Sequence, residues 1–132
     1  MSYLYNHSNV AIIYKTGTPF YPPTLNEDTR FFELRSPATH RIFGKQQLYL
    51  ELNFKIIPPE GYICIFRIKD SLSHRGLKVL NPIHLDPTRD FDLVLLNESF
   101  VPYRLIEGTT IGLLLFVHNH IPEIRVINDR LP

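Results

Sequence analysis

The sequence predicts an all-β protein, and three observations carry that expectation. Leu48, Leu50, Leu52, Phe54 and Ile56 alternate with Tyr49, Glu51, Asn53 and Lys55, the two-residue apolar period of a strand with one buried face. Eleven prolines are spread over 132 residues, which breaks most windows in which a helix could run. No window shows a 3.6-residue apolar period, and no capping box leads into one. The expected architecture is roughly ten short strands with proline and glycine punctuation, a sandwich or barrel of jelly-roll type. A single domain is expected over residues 1–132.

Taken in order, 10–14 reads as a first strand, followed by a proline-bearing loop over 15–30. Phe31 to Leu34 is a short strand stopped by Ser36-Pro37, and His40 to Phe43 another stopped by Gly44. The alternating stretch 48–56 is expected as one continuous strand. Pro58 and Pro59 then lock φ and remove two backbone donors, so that strand must end, and Gly61 supplies the positive φ that turns the chain. Tyr62 to Ile68 is bulky on both faces, as in a strand packed on both sides, and Lys69-Asp70-Ser71 breaks it as a polar elbow. Short strands are expected at 77–80 and 83–85, and a buried one at 91–96 ended by Asn97-Glu98-Ser99. Tyr103 to Ile106, the Glu107-Gly108 turn and Ile111 to Val117 read as a hairpin-like pair. Ile121 to Ile127 reads as a last strand, with Pro122 placing its start at an edge.

Composition narrows the function. A chain that is 44% hydrophobic and 20% charged is not intrinsically disordered. A net charge of +1 without a Lys/Arg run disfavours nucleic-acid binding, which rests on phosphate neutralisation. The single Cys64 excludes an internal disulfide and fits a reducing compartment. The apolar run 111–117 is far shorter than the ~20 residues of a spanning helix, and Met1 to His7 has no signal-peptide character. A soluble intracellular domain is the expectation. The chemistry-bearing groups are sparse. His118 and His120 would share a strand face but have no third metal ligand nearby. Ser71 and His74 lack the glycine-flanked elbow of a nucleophile. Asp86, Asp90 and Asp92 with Arg89 look like a solvated charged turn. Tyr3, Tyr5, Phe20 and Tyr21 could form an exposed adhesive loop or cover a subunit interface. Neither a cofactor nor a metal is expected.

The order of motifs is more specific than any one of them. Phe32-Glu33-Leu34-Arg35-Ser36 is followed by Ile57-Pro58-Pro59-Glu60-Gly61-Tyr62, the elbow to Leu72, and Ile83-His84-Leu85-Asp86. Leu93 to Asn97 and Glu107-Gly108 to Leu114 complete a series that resembles the trimeric dUTPase family over about residues 30–117. The resemblance implies a dUTPase-like β-clip or jelly-roll barrel and a homotrimer. Against that family's pattern, His84 stands where the general-base aspartate is used, and Pro87 where the tyrosine floors the uracil. Lys69, Asp70 and Ser71 replace the Arg-Ser-Gly of the phosphate elbow, and Glu33 replaces the first-motif aspartate. Thr109, Thr110 and Leu113 take the places of the fourth motif's Asp, Arg and Gln. Glycine does not recur after Gly112, so the family's Gly-rich C-terminal arm has no counterpart here. The combination is similar to the family's non-catalytic adenovirus early-region-four first-reading-frame branch. It implies a viral, non-enzymatic adaptor toward host factors, with no catalytic residue. Arg130-Leu131-Pro132 lacks the hydroxyl and apolar end that PDZ capture requires. The alternatives are a virion structural or cementing protein on the same fold, and a residual dUTP-binding or hydrolysing enzyme using His84 and Glu33.

Overall fold

A computed structural model describes residues 9–129. The strands are β1 (Ala11–Tyr14), β2 (Thr24–Asn26), β3 (Phe31–Arg35), β4 (His40–Ile42), β5 (Gln47–Leu50) and β6 (Phe54–Ile57). They continue as β7 (Tyr62–Ile68), β8 (Leu77–Val79), β9 (Ile83–His84), β10 (Leu93–Asn97), β11 (Tyr103–Leu105) and β12 (Thr110–His118). A short helix, α1 (Asp70–His74), follows β7. The all-β expectation holds. A five-stranded antiparallel sheet runs β2-β3-β12-β7-β9, with smaller sheets β5-β10-β8, β1-β6 and β4-β11 around the same core. Leu34, Ile42, Leu50, Phe54, Phe66, Leu93, Leu105 and Leu114 come from different sheets and meet in that core, each at most 2% exposed.

The large sheet depends on β12, which pairs with β3 on one side and with β7 over seven positions on the other. Its register shifts between Thr110 and Gly112. A Cβ at Gly112 would lie 2.3 Å from the Arg67 carbonyl oxygen and 2.4 Å from the Phe66 ring. Only glycine lets β7 and β12 approach there while Phe66 fills the core. The turns obey the same logic. Tyr62 N–H donates to the Pro59 carbonyl with Gly61 at φ 80°, a type II geometry that needs glycine at its third position. Gly108 does the same between Ile106 and Thr109, and its N–H donates to the Ser36 carbonyl. Asn97 is fully buried and saturated: its amide donates to the Ile42 and Val101 carbonyls, and its Oδ1 accepts from Ser99 N–H and Oγ–H.

Several strand expectations need correction. The stretch 48–56 is two strands in different sheets, β5 and β6, because the chain bends at Asn53 with φ 67°. Leu50, Leu52, Phe54 and Ile56 stay buried through the bend, so the period survives while the strand does not. β11 and β12 are no hairpin: the Glu107-Gly108 turn exists, but β11 pairs with β4. The 15–30 loop contains β2, which turns into β3 through an Asx turn in which Asn26 Oδ1 accepts from the Asp28 and Thr29 N–H groups. The elbow carries the single turn of α1, too short to leave a period in the sequence. Residues 119–129 form no strand; Pro122 withholds a donor, and Ile121, Ile124 and Val126 are about nine-tenths exposed at 88%, 87% and 91%. Phe20 is not adhesive surface: it stacks on Tyr14 at 4.9 Å and meets Phe54 edge-on at 5.5 Å. Tyr3, Tyr5 and the Arg130-Leu131-Pro132 end lie outside the described residues.

Asn97→Ala removes four side-chain bonds from a fully buried site, so it should cost about 2–3 kcal/mol in urea unfolding. Gly112→Ala should cost at least about 2 kcal/mol, because backbone and ring must both retreat. A neutral result at Gly112 would show that β7 and β12 are not in the contact described.

Candidate functional site

The elbow is built from backbone and one buried side chain. Lys69 ends β7 with φ −61° and ψ 136°, its N–H donates to the Ile111 carbonyl, and its own carbonyl accepts from Leu72 and Ser73 N–H. Leu72, 4% exposed, anchors α1 in the core. The side chains of Lys69, Asp70 and Ser71 take no part in this scaffold and are exposed. Asp70 lies 3.6 Å from Arg67 Nη2, in a pair exposed enough to be screened and worth little. Asp70 therefore puts an exposed carboxylate at the elbow, with its charge only weakly compensated.

His84 sits on β9 opposite Cys64 of β7. Its ring meets Phe91 at 5.0 Å, and its Nε2 is buried with no hydrogen-bond partner among the described residues. Burial pulls its pKa below the ordinary 6.5, against the weaker pull of Asp86 and Asp92. Phe91 stacks on Phe54 at 5.9 Å, so His84 ends an aromatic series that runs through Phe54 and Phe20 to Tyr14. Cys64 beside it is fully buried, which pushes its thiol up to about 12 and leaves it inert. Pro87 lies in an exposed Asx turn in which Asp86 Oδ1 accepts from Thr88 N–H and Oγ1–H, bonds that hold the Asp86 carboxyl below its usual range. Asp90 reaches Lys15 at 2.6 Å and Lys55 at 3.8 Å. Asp92 accepts from the Tyr49 hydroxyl and Leu52 N–H. Of the pairs expected within this turn only Asp86 with Arg89, at 3.5 Å, is local; Asp90 and Asp92 instead tie the turn to residues distant in the chain.

Glu33 on β3 accepts from Asn26 Nδ2 at 2.8 Å. It lies in register with Leu113 and Arg67, so these three share the outer face of the large sheet. Cys64 belongs to the core face, and His84 pairs with it. Glu33 and His84 therefore stand on opposite faces, and the elbow lies about 16 Å along β7 from the residue that His84 pairs with. One chain does not bring Glu33, the elbow and His84 together.

The other candidates are separate. His118 and His120 have ring centroids 6.1 Å apart, with Tyr62 beside His118, and among the described residues no group of three or more His, Cys, Asp or Glu could hold a metal. Ser71 and His74 are both exposed on the one turn of α1. A cavity of about 720 Å³ is lined by apolar groups such as Ile12, Pro23, Phe32 and Phe116, with no charged residue to meet a phosphate. What the sequence reading missed is Arg41 opposite Arg104, side by side only because β4 pairs with β11. No local signal joins two residues so far apart in the chain.

No protein-family model matches the sequence, and a search of curated proteins finds no match either. Solved structures do match. The dUTPase of EIAV superposes with a TM-score of 0.68 at 17% identity, over 92% of this chain and 100% of the other. A point mutant of the dUTPase from Staphylococcus aureus phage phi11 gives 0.74 at 13%, over 92% and 98%. The staphylococcal phage 80alpha dUTPase with dUPNHPP gives 0.74 at 13%, over 92% and 89%; it is described as controlling transfer of virulence genes by a proto-oncogenic G protein-like mechanism. At such identities the likeness speaks for architecture alone: the chain has the dUTPase-like all-β fold.

Proposed function

We propose that this protein is a non-catalytic, virus-derived member of the dUTPase-like fold that works as a protein-interaction module toward host factors, assembled as a homotrimer. The observation that carries the reading is His84. The position that the resemblance assigns to the catalytic base holds an imidazole whose ring packs on Phe91 and whose Nε2 is buried, which withholds that nitrogen from an attacking water. Asp70 adds a carboxylate where triphosphate oxygens would lie, an unfavourable meeting of like charges. Pro87 offers no ring to stack on uracil. The neighbours come from EIAV and staphylococcal phages, and the 80alpha enzyme carries a regulatory role on this scaffold, which favours the viral and regulatory parts of the reading.

Assembly has its own support. The outer face of the large sheet presents Ile63, Ile65, Leu113 and Leu115, with Ile83 51% and Val117 38% exposed at its border. An apolar face of this kind is stable when a further copy covers it.

Pyrophosphate release from dUTP with Mg²⁺ should not exceed the protein-free rate, and His84→Asp alone should not restore it. Turnover by the unaltered protein would refute the reading. The burial of His84 also predicts a pH dependence of stability. Above pH 6.5 both states hold the imidazole neutral. As pH falls through 6.5 the unfolded chain takes up a proton that the folded one resists, so stability declines until the lower folded pKa is passed. Urea midpoints measured on either side of pH 6.5 should show this decline, and His84→Gln should lack its share of it.

A further inference from the structure

β4 and β11 form a two-stranded sheet in which Arg41 and Arg104 are directly opposed. Opposed residues share a face with Cβ atoms about 5 Å apart, where like charges repel. Both arginines are exposed, and neither belongs to an ion pair among the described residues. Glu107, whose backbone N–H donates to Thr39 Oγ1 near this pair, forms no ion pair among them either. Arg41 and Arg104 line a shallow cavity of about 350 Å³ with Thr39, Pro102 and Tyr103.

Large apolar groups border the same place. Phe43 is 52% exposed with the Arg41 guanidinium 5.2 Å from its ring centroid. Phe100 is 84% exposed with Lys45 Nζ 4.5 Å from its centroid, and Val101 beside it is 70% exposed. The segments that carry Phe43 and Phe100 run close together, since a Cβ at Gly44 would lie 2.6 Å from the Phe100 carbonyl oxygen.

We infer that this face binds an acidic peptide segment of a partner protein, with its carboxylates on Arg41 and Arg104 and an apolar side chain against Phe43 and Phe100. Paired guanidinium forks match carboxylates in geometry, and exposed aromatics beside arginine are the usual anchors of a protein interface. A bare anion leaves Phe43, Phe100 and Val101 without a role. Nucleic acid asks for more cations than this patch and a net charge of +1 supply. The inference rests on the interaction-module reading and gives it a surface and a partner chemistry.

The test uses the full chain and a fluorescein-labelled peptide of alternating Glu, Phe and Leu, read by anisotropy. Saturable binding is expected at or below about 100 µM, weakened about tenfold or more in Arg41→Glu/Arg104→Glu and less in Phe100→Ser. No binding up to about 1 mM, or equal binding by the double variant, overturns the inference. Competition by inorganic phosphate or single-stranded oligonucleotide at equal concentration overturns it too, since the site would then read phosphate. Arg104→Glu, which makes an opposite-charge pair with Arg41, should raise the Tm of the free protein by about 1–4 °C and so report folding of the variants. A lowered Tm would mean that the arginines are already compensated, against the inference. dUTP turnover assayed on the same preparations separates the two readings: peptide loss without turnover sinks this surface alone, and turnover sinks the non-catalytic reading whatever the peptide does.

Discussion

The contact between β7 and β12 at Gly112 is the constraint on which the rest of the structure depends. Phe66 fills the core only because Gly112 has no side chain, and the Arg67 carbonyl takes up the space that remains. That approach sets the register over seven paired positions, and with it the order of residues on both sheet faces. It also places the elbow, because the Lys69 N–H is tied to the Ile111 carbonyl one residue from the glycine. At the same end of β12, the Gly108 N–H and Thr109 carbonyl both bond to Ser36, which fixes the end of β3 against the same strand. Overpacking at Gly112 would therefore disturb core, elbow and outer face together.

The motif residues divide by what they hold. Ser36, Gly61, Asn97, Gly108 and Gly112 each satisfy buried backbone groups or permit a backbone geometry that other residues resist. Glu33, Lys69, Asp70, Ser71 and Pro87 carry no such duty; their side chains are on the surface or bonded only locally. Replacing them costs little stability, because an exposed side chain leaves no orphan and no cavity. A scaffold can hence persist while the chemistry at its rim drifts. His84 is the intermediate case, since its ring has become packing for Phe91.

How much of this was legible in the sequence follows from the range of each signal. Period-two alternation and proline-glycine turns are local, so the all-β class, the turns at Gly61 and Gly108, and most strands could be read. Pairing partners are not local. The bend at Asn53 leaves the alternation intact, so one apparent strand is two. The Glu107-Gly108 turn has hairpin chemistry, yet Ser36 draws its two arms into different sheets. For the site, the identities of Lys69, Asp70, His84 and Pro87 were plain. Their separation, with His84 on the core face and Glu33 on the outer one, emerges only from the register. The opposition of Arg41 and Arg104 was invisible for the same reason.

Scaffold kept and chemistry lost is the central claim, and native mass spectrometry in the presence of dUTP and Mg²⁺ tests both halves at once. The account predicts a species of three chains, each 15.5 kDa, carrying no nucleotide. A single-chain species would contradict the retained assembly, and a trimer with dUTP bound would contradict the lost site.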